Sequence, residues 1–332
     1  MKNVIWLVLS VVLLTACSQG VVKKSLRTPT YSQKPNHSAA LVRHYHNQVL
    51  NQKGKSGFVL MGSGLDAFAA RTALFRKAQN SIDVQYYLVR DDLTGHLFYE
   101  SLKAAADRGV RVRILLDDYY LSGKTARLSA LDQHPNIEIR IFNPFSRRAP
   151  RLLQYVFRLG KITRRMHNKS VTIDGAVTIL GSRNIGNEYS EAESALVNSG
   201  MEVVGIGPIV KSVSKSFDQF WNYHRAVKVS NISRPDNRGE ALRKQRFAVD
   251  PLAQRFKQIL QTSPLMKQVN TGQLPFRWAK AVLIKDPPAK VDSIRSPRGQ
   301  YLNSTDLKSY IQGAKKHILI ITPYFIPGQE GL

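Results

Sequence analysis

Five residues in one short stretch have the types and spacing for joint chemistry. His167, Lys169 and Asp174 lie in HNKSVTID, and Ser182 and Asn184 follow in GAVTILGSRNIGNEY. Successive strand side chains alternate between faces, so His167 and Lys169 share a face, as do Ser182 and Asn184. An imidazole and an ammonium on one face can meet one anion. A neutral histidine can act as nucleophile on a phosphodiester, forming a covalent phosphohistidine. The lysine, hydroxyl and amide can stabilise charge on the phosphoryl oxygens. Lys169, Ser182 and Asn184 are therefore the candidate phosphate-binding groups. Asp174, just before Gly175, reads as support for a turn rather than as a chemical group. The plainer alternative is an ordinary strand carrying a histidine and a lysine.

The alternation of elements around this run argues an α/β fold. LDAFAARTALFRKAQ spaces Leu65, Phe68, Ala69, Thr72 and Phe75 helically, and SIDVQYYLV is rich in β-branched and aromatic residues. HLFYESLKAAADRG predicts a helix ending at Gly109, and VRVRILLDD predicts a strand. A helix near Lys124 to Gln133, the strand IEIRIF, the motif strand, TIL, MEVVGI and the helix IVKSVSKSFDQFWNYH complete the series. Such alternation suits a sheet covered by helices on both faces.

The run HxKxxxxD with a trailing GSxN resembles the signature of the phospholipase D superfamily. Over roughly residues 60 to 228 the likeness is finer, to the bacterial cardiolipin synthases, especially their C type. It rests on GLDAFAAR, DVQYY, RGVRVRILLDD, FNPFS, RRMHNKS, DGAVTILGSRNIGNEY and GIGP. The resemblance implies a phospholipase D-like αβα sandwich and phosphatidyl transfer. His167 would attack the phosphodiester of phosphatidylglycerol or phosphatidylethanolamine. A second phosphatidylglycerol would then accept the phosphatidyl group. The superfamily places a carboxylate after the histidine to orient it, and Glu202 in SGMEVVGIGP is the candidate. C-type relatives more often have Asp-x-Asp there, so Glu202 stands equally as an ordinary strand-edge carboxylate.

Composition narrows the partners. The 332 residues carry 49 Lys and Arg against 23 Asp and Glu, a formal net charge of +26. That surface favours nucleic acid or anionic membrane headgroups. SRRAPRLLQYVFRLGKITRRMH interleaves basic and apolar residues, as an interfacial helix or an amphipathic core helix would. A nucleic-acid groove would more often offer exposed aromatics, so nucleic acid is the less favoured partner. No metal or cofactor is expected, since no His/Asp cluster has ligand spacing. His44 and His46 read as solvated.

The N-terminus reads as a secretory leader. Lys2 precedes an apolar run from Val4 to Leu14, and Leu14-Thr15-Ala16-Cys17 resembles a lipobox. The expectation is cleavage before Cys17, lipidation of its sulfur and a place in the bacterial cell envelope. Ser18 leans by resemblance towards the outer membrane. An ordinary signal peptide or an uncleaved anchor is the alternative. The organisation expected is a signal over 1–16, a basic tether over 17–60, a first phospholipase D-like domain over 61–228, a connection over 229–296 and the start of a second domain over 297–332. The last rests on a repeat: STDLKSYIQGAKKHILIITPYFIPG follows the pattern of LDAFAARTALFRKAQNSIDVQYYLV, with Ala314 at Ala78 and Tyr324-Phe325 at Tyr86-Tyr87. The offset from Ala78 to His167 carries the matching second histidine beyond Leu332, and His317 lacks a paired lysine. The sequence thus reads as truncated, with the general acid coming from a longer chain or from a homodimer. A dimeric phosphodiesterase or nuclease, and a non-catalytic lipid-binding lipoprotein, are the alternatives.

Overall fold

A computed structural model describes residues 28–121, 124–145, 165–190, 200–236, 251–292 and 302–321. The leader, Cys17 and the basic-apolar run 146–164 lie outside these residues.

The described chain builds one nine-stranded sheet. Its strands are β1 (Ser56–Met61), β2 (Ser81–Tyr86), β3 (Arg111–Asp117), β4 (Ile137–Phe142), β5 (Ser170–Ile173), β6 (Val177–Gly181), β7 (Glu202–Ile206), β8 (Ala226–Lys228) and β9 (Arg277–Ala279), in the order β8-β4-β3-β2-β5-β6-β7-β1-β9. Strands β2, β3 and β4 run parallel, and every other pairing is antiparallel. The helices are α1 (Ala40–Leu50), α2 (Gly64–Lys77), α3 (Leu93–Asp107), α4 (Thr125–Leu131), α5 (Pro208–Trp221), α6 (Pro251–Thr262), α7 (Pro264–Thr271) and α8 (Leu302–Gln312).

Period-two alternation assigns the two faces. Ile82, Val84, Ile114, Leu116, Val171, Ile173, Val204 and Ile206 join the core that includes residues of α2 and α3. Leu115, Phe142 and Met166 point the other way and pack with Phe217, Phe220 and Trp221 of α5. The α5 face also holds charge. Arg113 bonds Asp83 and Asp218 at 2.7–2.9 Å, with its guanidinium over Phe217 and Trp221. Both faces are thus covered, as the α/β expectation required.

Two boundaries differ from that expectation. The end of the stretch read as tether, 17–60, forms α1 and all but the last residue of β1. Leu41 and Tyr45 enter the core, and β1 pairs with β7 and β9. Their signal is weak because few residues of α1 are buried. Within 229–296, read as a connection, α6 and α7 pack on α2, and β9 extends the sheet next to β1. In 302–321 the predicted helix is present as α8, but the stretch after it forms no strand.

The turn after β5 shows why the motif ends in Asp-Gly. Asp174 and Gly175 have φ of +50° and +61°, and the Ala176 N–H donates to the Ile173 carbonyl at 2.9 Å. Two positive φ values make a tight hairpin turn of the primed type, which Asp-Gly favours. The buried Asp174 carboxylate accepts the backbone N–H groups of Gln79, Asn80 and Ser81 at 2.8–3.0 Å. It therefore fixes the start of β2 against the end of β5.

Candidate active site

His167 and Lys169 lie just before β5. His167 is exposed, and its ring centroid lies 4.6 Å from that of Tyr87. The Lys169 ammonium donates to the His167 carbonyl at 2.8 Å and sits 5.4 Å from the Tyr87 ring. The structure thus brings the two predicted residues together and adds Tyr87 beneath both. Tyr87 stacks on Tyr119 and packs edge-on to Tyr120.

Electrostatics keep the imidazole neutral. Desolvation, then the ammoniums of Lys169 and Lys290, hold the His167 pKa down to about 4. A nucleophile must offer a lone pair, and at neutral pH this imidazole does. Burial pulls Lys169 down to about 7, opposed by the charge of Asp117. Burial pushes Asp117 up to about 6 in spite of its Arg165 partner.

The other predicted residues are placed differently. Glu202 pairs with Arg71 of α2, whose Nε donates to the Tyr86 hydroxyl at 2.9 Å. Gly181 lies opposite Glu202 in the sheet, and a Cβ there would come within 2.3 Å of the Glu202 side chain. The missing side chain makes room for the buried pair. Of the two readings of Glu202, orienter of His167 or strand-edge carboxylate, the pairing favours the second: no hydrogen bond joins it to His167 among the described residues, Arg71 takes one oxygen, and Oε2 is buried without a partner. Ser182 accepts the Met201 N–H at 3.1 Å, tying the end of β6 to the approach to β7. Asn184 is buried with its Oδ1 unpartnered, and its amide bonds Tyr189. Asp174 sits at the far end of β5, bound to backbone.

The loop carrying Ser182 and Asn184 is held by the entry to α3. Asp92 accepts the N–H groups of Gly95 and Asn187 at 2.9 and 2.8 Å, and Thr94 bonds the Asn187 side chain. Arg90 donates its backbone N–H to Ile185 and pairs with Glu188. A cavity of about 190 Å³ lies between α3 and α4, lined by Tyr99, Leu121, Leu128 and Leu131, and contains none of the motif residues. No cluster of His, Cys, Asp and Glu suited to a metal occurs among the described residues.

Sequence reasoning missed Tyr87, Asp117 and Lys290 as site neighbours. Tyr87 was visible as the second residue of an aromatic pair ending β2, and Asp117 as the first aspartate of LLDD. Nothing local marks Lys290, which comes from a short turn at Pro288–Val291.

Comparison with known proteins supports the family resemblance. Residues 72–221 match the family described as cardiolipin synthase, PLD-like domain. The chain is a cardiolipin synthase-like member of the phospholipase D superfamily. It is 38% identical over 283 residues to cardiolipin synthase C of Escherichia coli K12, covering 84% of this chain and 59% of that protein. An uncharacterized protein of Helicobacter pylori J99 is 28% identical over 330 residues, covering 97% of this chain and 64% of that one. The chain thus spans about three fifths of the length of these relatives. Among solved structures, NucT from Helicobacter pylori matches with a TM-score of 0.40 at 15% identity, covering 52% of this chain and 99% of that one.

Proposed function

We propose that this chain is a phosphatidyltransferase of the cardiolipin synthase type. The observation that carries this is the pair at the head of β5: a neutral, exposed imidazole and a lysine on one face, resting on Tyr87. Similarity to cardiolipin synthase C over most of the chain supports a phospholipid substrate.

A lone pair of His167 attacks the phosphorus of phosphatidylglycerol or phosphatidylethanolamine. The P–O bond to the headgroup breaks, and the departing oxygen takes a proton from a general acid. Lys169, as ammonium, offsets charge on the non-bridging oxygens. The hydroxyl of a second phosphatidylglycerol then attacks, gives its proton to the conjugate base of that general acid, and breaks the P–N bond. Cardiolipin forms and His167 is restored neutral. Asn184 and Ser182 remain the proposed phosphate donors, reached once the Met201 and Tyr189 contacts exchange for substrate oxygens. A second copy of this chain is the proposed source of the general acid. Lipidation at Cys17 and a place on an anionic membrane of the cell envelope complete the proposal, and the net charge of +26 supports it.

The test is headgroup exchange on labelled phosphatidylglycerol vesicles over a series of protein concentrations, with His167→Ala as control. Cardiolipin and glycerol that rise with the square of protein concentration and vanish in the variant are expected. DNA cleavage without lipid turnover would overturn the lipid assignment in favour of a nuclease. Vesicle binding without any turnover would leave a lipid-binding lipoprotein.

A further inference from the structure

We propose that Asp117 is a positioning residue for this site: its carboxylate clamps the segment leading into His167. The inference rests on the transferase reading above and deepens it.

The segment Arg165–Lys169 precedes the first paired residue of β5, Ser170, so no sheet ladder holds it. Asp117, buried at the end of β3, supplies the missing hold. Its Oδ1 accepts Arg165 Nε at 2.7 Å and the Tyr119 N–H at 2.9 Å. Its Oδ2 accepts the Met166 N–H at 3.0 Å, one residue before His167. The Arg165 guanidinium also lies 4.9 Å from the Phe145 ring, and Gln85 donates to the Met166 sulfur at 3.0 Å. One carboxylate therefore holds both the backbone entering the nucleophile and Tyr119, the ring stacked on Tyr87, which in turn carries His167. A buried carboxylate this fully engaged has high desolvation cost and specifies one geometry more than it adds net stability.

Asp117 also acts on charge. Among the described residues, the Lys169 ammonium touches the His167 carbonyl and the Tyr87 ring, and the negative charge that acts on it is that of Asp117. That charge favours the ammonium form. Asp132, which accepts the Ile139 N–H at 2.6 Å away from the motif, is a carboxylate with a structural bond whose lysine neighbour is Lys228 rather than Lys169.

The test compares the full chain with Asp117→Asn and Asp132→Asn. One readout is p-nitrophenol release from phosphatidyl-p-nitrophenol in mixed micelles, whose leaving group needs little acid assistance. The other is NMR titration of 13C-labelled Lys169. A displaced nucleophile can cost on the order of 10²-fold. Asp117→Asn is expected to lower kcat by that order with little change in KM. It is also expected to move the Lys169 midpoint below about 7, so the alkaline fall in activity begins at lower pH. Asp132→Asn is expected to change neither. If Asp117→Asn fails to fold, Asp117→Glu keeps the charge but shifts the clamp: kcat falls and the Lys169 midpoint stays. Asp117→Asn with unchanged kcat, or with an unmoved Lys169, overturns the proposal. Absence of nitrophenol release from the unsubstituted chain defeats the transferase reading instead, and the Lys169 titration still decides the clamp.

Discussion

The two ends of β5 use the same motif for opposite purposes. At the head, His167 is exposed, with no hydrogen bond to its ring among the described residues. At the foot, Asp174 is buried and saturated by three backbone N–H groups. A polar group that has spent its hydrogen bonds on the backbone holds the fold, while one left open to solvent is available to a substrate. The eight-residue run HNKSVTID is thus half reagent and half fastener. Lys169 lies between these extremes: it is buried like Asp174, yet aimed at the His167 end.

Substitutions can separate the two ends. The largest expected effect is at the head. His167→Ala should abolish phosphatidyl transfer, by on the order of 10³-fold or more, while leaving the melting temperature unchanged. A melting shift as large as that of any core variant would break the comparison. At the foot, Asp174→Ala orphans three N–H donors and should destabilise by about 2–4 kcal/mol in urea unfolding. Its remaining folded protein should keep the turnover of the unsubstituted chain.

Lys169→Met tests the middle position. Turnover should fall on the order of 10²-fold, but stability should rise at neutral pH. The sign follows from the lowered pKa. Folding moves Lys169 from its usual 10.5 to about 7, so the unfolded chain binds more protons between those values. The penalty on the folded state is fully present below pH 7 and fades as pH rises towards 10.5. The advantage of Lys169→Met should fade over the same window, measured as melting temperature against pH. The smallest effect is expected from Ser182→Ala, about 1 kcal/mol from the two hydroxyl bonds to Met201, one of them long. A turnover loss far beyond that stability change would mean that the hydroxyl leaves Met201 to bind phosphate.

Much of this was legible in the sequence because it is local. The helix of α2 follows from apolar spacing, the parallel strands from β-branched runs, and the turn at Asp174-Gly175 from a dipeptide that accepts two positive φ values. His167 and Lys169 were readable as a pair from their two-residue spacing, although they precede β5 and meet through the His167 carbonyl and the Tyr87 ring rather than through a strand. What stayed hidden depends on partners far apart in the chain. Glu202 could be read either way because its partner Arg71 lies 131 residues away in the chain. The α1–β1 segment carries few buried residues, and its role comes from pairing with β7 and β9. Lys290 reaches the vicinity of His167 from a turn that no local pattern connects with the motif.

The most direct test of the account is to catch the covalent intermediate. The chain would be mixed with phosphatidyl-p-nitrophenol, quenched without acid, digested and examined by mass spectrometry, alongside His167→Ala. The account predicts a burst of nitrophenolate and a phosphatidyl adduct on the peptide that contains His167, both absent from the variant. A burst that survives His167→Ala, or an adduct on another residue, would contradict it.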